Sequence, residues 1–411
     1  MDTWRGPRAP RLRVRGHRIK PHGRGGQKCV SSVPFPPQMR AAKAFCTTGS
    51  SRAPMETAGY FAVHSQGLGH ATRAVALARG LRERRPDLSF LFLAGVPALD
   101  LIAASGFDVL TAPPAPDWPA TGGVLQPVWR WYADYRKYLR VARRFLRVEG
   151  DWNSYGFLIS DGEVASVREA VRRRVPTAMI LNSLRRAFAQ DLPSRLTEGL
   201  GNFWFSRLAR RIDLILAAES APDWPNVRRV GPIVRSFSGS REKLREDFVF
   251  RKKTILVTAG GTAIGDFLLQ AAVTAYRESR LDGVSMVVVS GPKMTWKPSP
   301  GVYTYGFLPN LQDYVLASDL VITTAGKETI NEALAAGTPV IAIPPKGHME
   351  AERNAAALGY RFEDVHRLKD LISEKLALGR LPPQPTGNAE AVQLLLDFLD
   401  AKVVSPGRQR S

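Results

Sequence analysis

The sequence predicts two doubly wound α/β domains in tandem, facing each other across a cleft. Three observations carry this. From residue 59 short apolar runs alternate with helix-period stretches, a polar and charged segment between Gly231 and Lys253 interrupts them once, and the same rhythm then restarts. Strands separated by helices pair in parallel, and two such units set the carboxyl ends of their strands on opposite walls of a crevice. With 411 residues, 44 % of them hydrophobic, the chain is long and apolar enough for two cores.

Residues 1–54 stand apart. They carry twelve Lys or Arg against the single Asp2, about half of the chain's net charge of +21, in an Arg-, Pro-, Gly- and Ser-rich stretch without apolar periodicity. Such a composition predicts disorder. It also fits an organellar transit peptide or a basic nucleic-acid tail, but Met55 is followed almost at once by the apolar run Gly59-Tyr60-Phe61-Ala62-Val63. The favoured reading is therefore a true start at Met55, with the extension untranslated.

The first domain, residues 55–235, predicts strand 60–64, helix 70–84, strand 89–94, helix 97–105, and a Pro/Gly-rich loop 111–127. A long helical stretch 128–148 follows, then strand 156–160, helix 163–173, strand 177–181, a basic helical region around 192–210 and strand 213–217. Residues 236–252 read as a linker. The second domain, 253–385, predicts strands 254–259, 284–290, 302–305, 319–323 and 338–343, with helices 264–279, 311–317, 327–336 and 350–358. Residues 386–411 are a terminal helix and tail, with Leu394, Leu395, Leu396, Phe398 and Leu399 on the apolar face.

Composition excludes several classes. The apolar run Leu88 to Leu99 stops at Asp100, short of the ~18 residues a membrane-spanning helix needs. Both cysteines, Cys29 and Cys46, fall in the extension, so the domains can hold no disulfide and no cysteine metal site, and a reducing, cytoplasmic setting is expected. The charge excess is concentrated in that extension, which removes the main argument for nucleic-acid binding.

Two glycine turns follow strands. In Ser65-Gln66-Gly67-Leu68-Gly69-His70-Ala71-Thr72-Arg73, the glycines allow close approach of an oxygen-rich ligand at a helix N-terminus, with His70 in the first helical turn. Alone, this also reads as a tight turn with His70 as an exposed cap. The second, Thr258-Ala259-Gly260-Gly261-Thr262, lacks the Lys of a P-loop and the spacing of a dinucleotide fingerprint, which argues against ATP hydrolysis and hydride transfer. The most specific stretch runs from Thr323 to Pro339. Gly326 opens a helix whose free N–H groups suit a diphosphate, Glu332 lies nearly two turns on at a spacing that suits a ribose diol, and Gly337-Thr338-Pro339 ends the helix.

In these motifs residues 59–400 resemble the two-domain nucleotide-sugar glycosyltransferases of the GT-B fold, of the family 28 type. They are similar to the peptidoglycan lipid-intermediate N-acetylglucosaminyltransferases and to prokaryotic relatives sharing the Gly-x-Gly-His-x-x-Arg start. The resemblance implies a first glycine loop at Gly67, Gly69 and His70, a hinge arginine at Arg235 and a second loop at Gly260, Gly261 and Thr262. It further implies uracil contact at Phe307 and Leu308, diphosphate binding at Gly326, Lys327, Glu328 and Thr329, and a ribose ligand at Glu332. Relatives carry Asp-Gln or Gln-Gln where this chain has Glu350-Ala351, ahead of Asn354. The sugar-contacting amide is missing, although Glu350 can accept from sugar hydroxyls. Lys327 replaces a residue that is often apolar, and reads either as a phosphate contact or as a solvated side chain.

The implied activity is inverting transfer of a sugar, expected from a UDP-sugar, to a hydroxyl acceptor, with no metal and no separate cofactor. His70 is the first candidate base because an imidazole titrates near neutrality. Asp161, at the end of strand 156–160, is the second; it also reads as the N-cap of the helix that follows. Two basic, aromatic stretches, Trp129 to Phe145 and Phe203-Trp204-Phe205, suit an anionic membrane surface and a lipid-linked acceptor, or else pack on the sheet with solvated arginines. Family resemblance favours peripheral attachment at the inner face of the cell membrane. A nucleotide-sugar epimerase of the same fold and a non-catalytic donor-binding subunit are the rival readings.

Overall fold

The computed structural model describes residues 57–404, apart from 118, 122, 126–128, 185–191, 220, 262, 295 and 298–299. Expectations for residues 1–54 and for Thr262 lie outside the described residues.

The amino-terminal sheet has seven strands: β1 (Ala58–Val63), β2 (Ser89–Ala94), β3 (Asp108–Thr111), β6 (Phe157–Asp161), β7 (Thr177–Leu181), β8 (Leu214–Ala217) and β9 (Val227–Arg229). Their order is β3-β2-β1-β6-β7-β8-β9 and every pairing is parallel. A two-stranded antiparallel ribbon, β4 (Ala120–Thr121) and β5 (Val124–Leu125), lies in the expected loop. The helices are α1 (Gly69–Arg84), α2 (Ala98–Ala104), α3 (Trp129–Val148), α4 (Val164–Arg173) and α5 (Leu192–Ala209). The short strands β3 and β9 were not expected. Both lie at sheet edges, where half-exposed residues blur the apolar pattern.

The second sheet has five parallel strands in the order β12-β11-β10-β13-β14, formed by β10 (Lys253–Thr258), β11 (Val284–Val289), β12 (Val302–Tyr305), β13 (Leu320–Thr323) and β14 (Val340–Ala342). Its helices are α7 (Asp266–Ser279), α8 (Leu311–Ala317), α9 (Lys327–Ala336), α10 (Met349–Ala356) and α11 (Leu368–Leu378). The linker differs from expectation, for it holds α6 (Arg241–Asp247), whose Ser240 side chain accepts from the Lys243 amide at 3.3 Å. Leu244 is buried beneath it, and Phe248 stacks on Tyr314, so this polar stretch is docked on the second domain.

The terminal helix α12 (Asn388–Leu399) returns to the first domain. Ala391, Val392, Leu395, Leu396, Phe398 and Leu399 join the core made by Leu77, Leu81, Phe92 and Phe157. Its apolar face is thereby explained.

The central consequence is positional. Strand order reverses between β1 and β6 in one sheet and between β10 and β13 in the other. Such switch points leave a crevice at the carboxyl ends of the strands, and here those ends carry Ser65–His70, Asp161–Gly162, Gly260–Gly261 and Thr324–Gly326.

Candidate active site

Both switch points open on one cleft of about 350 Å³, lined from the first domain by Gly67, Gly69, His70 and Asn182 and from the second by Gly260, Gly261, Gly326 and Glu332, among others. The two glycine turns touch. A Cβ on Gly261 would stand 2.7 Å from the Leu68 amide nitrogen and 3.0 Å from the Gly67 carbonyl carbon, so only glycine allows this approach. Gly67 and Gly260 have φ of 75° and 74°, the left-handed region. Gly326 is the N-cap of α9, and a Cβ there would meet nothing within 4 Å: its backbone faces open space.

His70 stands in the first turn of α1, its side chain 28 % exposed, with Nδ1 2.7 Å from Oδ1 of Asp161. Asp161 is fully buried, and Arg73, one turn further along α1, grips both its oxygens at 2.7 and 2.6 Å. Burial alone would raise the Asp161 carboxyl, but Arg73 and then His70 override it and hold the group below its ordinary value. An ionised Asp161 has no proton to give. Nδ1 therefore carries the ring proton, and Nε2 is left as the acceptor. The second candidate base is corrected here: Asp161 lies behind His70, is not part of the cleft lining, and cannot reach an acceptor hydroxyl. Nor is it the helix cap; Glu163 caps α4 by accepting from the Ala165 amide at 2.7 Å.

The sequence reading missed His64. Its Nδ1 lies 3.4 Å from Glu163, whose same oxygen accepts from the Tyr138 hydroxyl at 2.5 Å, and its ring meets His70 edge to face at 5.4 Å. Gly162, at φ 70°, lets both imidazoles come close, since a Cβ there would lie 2.7 Å from His70. The signal was present as a His at a strand end, yet its carboxylate partner lies 99 residues away.

From the second domain, Glu328 in the first turn of α9 reaches Arg73 at 3.2 Å. Burial, with the nearby carboxylates of Asp161, Glu332 and Glu350, outweighs Arg73 and pushes Glu328 up to about 7. Glu350 accepts from Asn182 at 3.2 Å, and Lys327 pairs with Glu219 at 2.9 Å. Both contacts join the domains. Lys327 lines the cleft, with its side chain 27 % exposed and its ammonium paired with Glu219. Thr329 also lines the cleft.

Glu332 and Arg235 are both buried and paired, at 2.9 and 3.3 Å, while Arg235 also donates to the Pro309 carbonyl at 2.6 Å. Each Glu332 oxygen takes one hydrogen bond from Arg235, so lone pairs remain for a diol. Phe307 and Leu308 line the same end of the cleft. Asn354 donates its amide to the Ala325 carbonyl at 3.1 Å, bracing a residue held at φ 58° just before Gly326. Its donor faces the loop.

The aromatics of α3 follow the packing alternative. Trp131, Tyr135 and Tyr138 are buried against the sheet, leaving the arginines as the outer face. On α5, by contrast, Phe203 and Trp204 are exposed, with Leu192, Leu196 and Leu200 along the same helix; Phe205 packs inward. Among the described residues no cluster of three His, Cys, Asp or Glu is placed to hold a metal, and no helix is long and apolar enough to cross a membrane.

Residues 254–377 match the glycosyltransferase family 28 C-terminal domain. An uncharacterized glycosyltransferase of Methanosarcina mazei is 24 % identical over 320 residues, covering 71 % of this chain and 81 % of that protein. A UDP-N-acetylglucosamine–N-acetylmuramyl-(pentapeptide) pyrophosphoryl-undecaprenol N-acetylglucosamine transferase from Nocardioides sp. is 29 % identical over 341 residues, covering 77 % and 86 %. Among solved structures, spinosyn rhamnosyltransferase SpnG with its aglycone superposes with a TM-score of 0.53 at 19 % identity, over 84 % of this chain and 96 % of that one. The Streptomyces sp. SF2575 glycosyltransferase SsfS6 with thymidine diphosphate gives 0.54 at 16 % identity, over 83 % and 99 %. With glycosyltransferases as its sequence relatives and a GT-B fold shared with its structural neighbours, this chain is a glycosyltransferase whose residues 254–377 resemble the family 28 C-terminal domain.

Proposed function

We propose that the cleft binds a UDP-sugar and transfers its sugar, with inversion and without a metal, to an acceptor hydroxyl presented beside His70. The observation that carries this reading is the pairing of a carboxylate-backed imidazole on one wall with an open helix N-terminus on the other. The acceptor oxygen attacks the anomeric carbon as its proton passes to His70 Nε2, and the bond from that carbon to the diphosphate oxygen breaks on the opposite face. Amides at Gly260, Gly261 and the α9 N-terminus take up the charge on the departing nucleoside diphosphate. Asp161 keeps the imidazole in the required tautomer and stabilises its protonated form. Glu332 would hold the ribose, Phe307 and Leu308 the base, and Glu350 sugar hydroxyls.

The named relative that uses UDP-N-acetylglucosamine and a polyprenyl-linked acceptor supports a UDP-sugar donor and a lipid-linked acceptor. The exposed stripe on α5, with Arg207, Arg210 and Arg211 beyond it, supports docking on an anionic membrane surface, at the cytoplasmic face of the cell envelope. The His70–Asp161 dyad favours a catalyst over a non-catalytic donor-binding subunit.

The test is a melting series of the full chain with UDP-, GDP- and TDP-sugars, led by UDP-N-acetylglucosamine, with Glu332→Gln as control. Ligand at ~100 times its dissociation constant stabilises by about 2.7 kcal/mol. A shift with one UDP-sugar that the variant loses is the expected result. No shift with any nucleotide sugar defeats the proposal, and release of an epimerised sugar nucleotide without acceptor would make the protein an epimerase.

A further inference from the structure

On the outer face of the first domain, five arginines of α3 and α4 surround one carboxylate. Glu169 is fully buried, and it accepts from Arg173 at 2.9 Å, from Arg172 at 3.2 Å through Nε and again through a second, shorter contact, with Arg147 3.6 Å away. Burial pushes Glu169 up, but Arg172 and Arg173 prevail and bring it down to about 2, so it is anionic throughout the physiological range.

That satisfies three of the five guanidinium groups. Arg143 and Arg168 form no ion pair among the described residues, and Nε of Arg143 is buried without a hydrogen-bond partner among them. Arg168 is the charged neighbour that acts most strongly on Arg143, ahead of Arg147, and Glu169 is the carboxylate opposing them. A half-buried guanidinium set among like charges calls for an anion, which would meet its outer nitrogens because Nε is buried. The seam lies six residues beyond Glu163 along α4, roughly 9 Å further from the cleft at a helical rise of about 1.5 Å per residue. It belongs to neither the donor nor the base.

We propose that the seam between α3 and α4 is a second anion site, taking a phosphate or diphosphate group on Arg143 and Arg168. Guanidinium forks match phosphate oxygens two at a time, and a surplus of four positive charges suits a group bearing more than one negative charge. The phosphate is either free in solution or borne on a lipid headgroup. This inference does not rest on the reading of the cleft.

Inorganic pyrophosphate titrated into the full chain by calorimetry tests it. Two classes of binding are expected, one abolished by saturating UDP and one resistant to it. Arg143→Gln with Arg168→Gln leaves the three partners of Glu169 in place, and should weaken the resistant class at least tenfold. Arg136→Gln with Lys137→Gln removes the same charge from another part of α3 and should leave that class unchanged. Absence of the resistant class, or equal loss in both double variants, overturns the proposal; the second result would mean diffuse charge only. Loss of the UDP-sensitive class alone would count against the cleft reading and not against this one. Vesicles of phosphatidylcholine with phosphatidic acid separate the two sources. Binding weakened only in the Arg143/Arg168 variant identifies a lipid-borne phosphate, and unchanged vesicle binding beside a lost resistant class identifies a soluble one.

Discussion

Arg73 and Glu328 meet at 3.2 Å across the cleft, one from the first helix of the first domain and the other from the first turn of α9. The same guanidinium clamps Asp161 behind His70, so one side chain joins the support of the proposed base to the first turn of α9. A diphosphate at the α9 N-terminus, as proposed above, would bring further negative charge beside Glu328, and a carboxyl pushed up to about 7 would limit that repulsion.

This makes a prediction about pH. The Glu328 carboxyl titrates at about 7 in the fold against an ordinary 4.5, so the folded protein binds the extra proton between those values. Its contribution is therefore fully favourable below about 4.5 and is lost as pH rises through about 7. Glu328→Gln cannot ionise and keeps an oxygen for Arg73. Denaturant midpoints measured from pH 4.5 to 8 should show the variant gaining on the native chain, by on the order of 2 kcal/mol at the top of the range. Parallel curves would show that Glu328 ionises normally.

His70 and Asp161 should separate in their effects. His70→Ala removes a part-exposed ring and should reduce transfer by about 10²- to 10⁴-fold with donor binding and melting temperature nearly unchanged. Asp161→Asn leaves Arg73 without its main partner, and should cost about 3 kcal/mol of stability as well as turnover. If Asp161→Asn alone abolished transfer while His70→Ala was active, the assignment of the base would be wrong.

Asn354 braces the turn that opens α9. Replacing it with Ala leaves the Ala325 carbonyl unsatisfied and should destabilise the fold by about 1–3 kcal/mol. Donor affinity should fall as well, because Gly326 follows directly. A variant with native donor affinity and altered sugar preference would instead place the Asn354 side chain on the sugar.

On α5, Phe203→Ser with Trp204→Ser should weaken flotation with anionic vesicles severalfold and leave the melting temperature within about 1 °C, since both rings are exposed. Loss of stability without loss of flotation would assign these rings to packing.

Much of this architecture is legible in the sequence, because a parallel strand buried on both faces writes itself as a short apolar run, as Ile255 to Val257 and Leu320 to Ile322 do. The glycine turns and Gly326 are legible for a related reason: close approach tolerates few residue types. What escaped is tertiary. The partners of Asp161 and His64 lie tens of residues away, and no local spacing connects Lys327 with Glu219. Trp131, Tyr135 and Tyr138 show the same limit, since interfacial and core aromatics share one helical spacing and only the sheet beneath decides between them. Helices α6 and α11 were missed for want of a strong apolar face in the first and of any element read between residues 358 and 386 in the second.

The return of α12 to the first domain has a mechanical meaning. The polypeptide passes between domains twice, and the two passages lie against each other: the Gly387 amide donates to the Pro232 carbonyl at 2.7 Å, and Asn388 exchanges hydrogen bonds with the Val234 backbone at 2.9 and 2.7 Å. A Cβ on Gly387 would stand 2.5 Å from the Gly231 nitrogen, so the strands run as one paired cord. Two tethers fixed at a single edge restrain sliding and twisting far more than swinging. Of the possible displacements of one sheet against the other, a rotation about the edge at Gly231 and Gly387 is the one these paired crossings would oppose least.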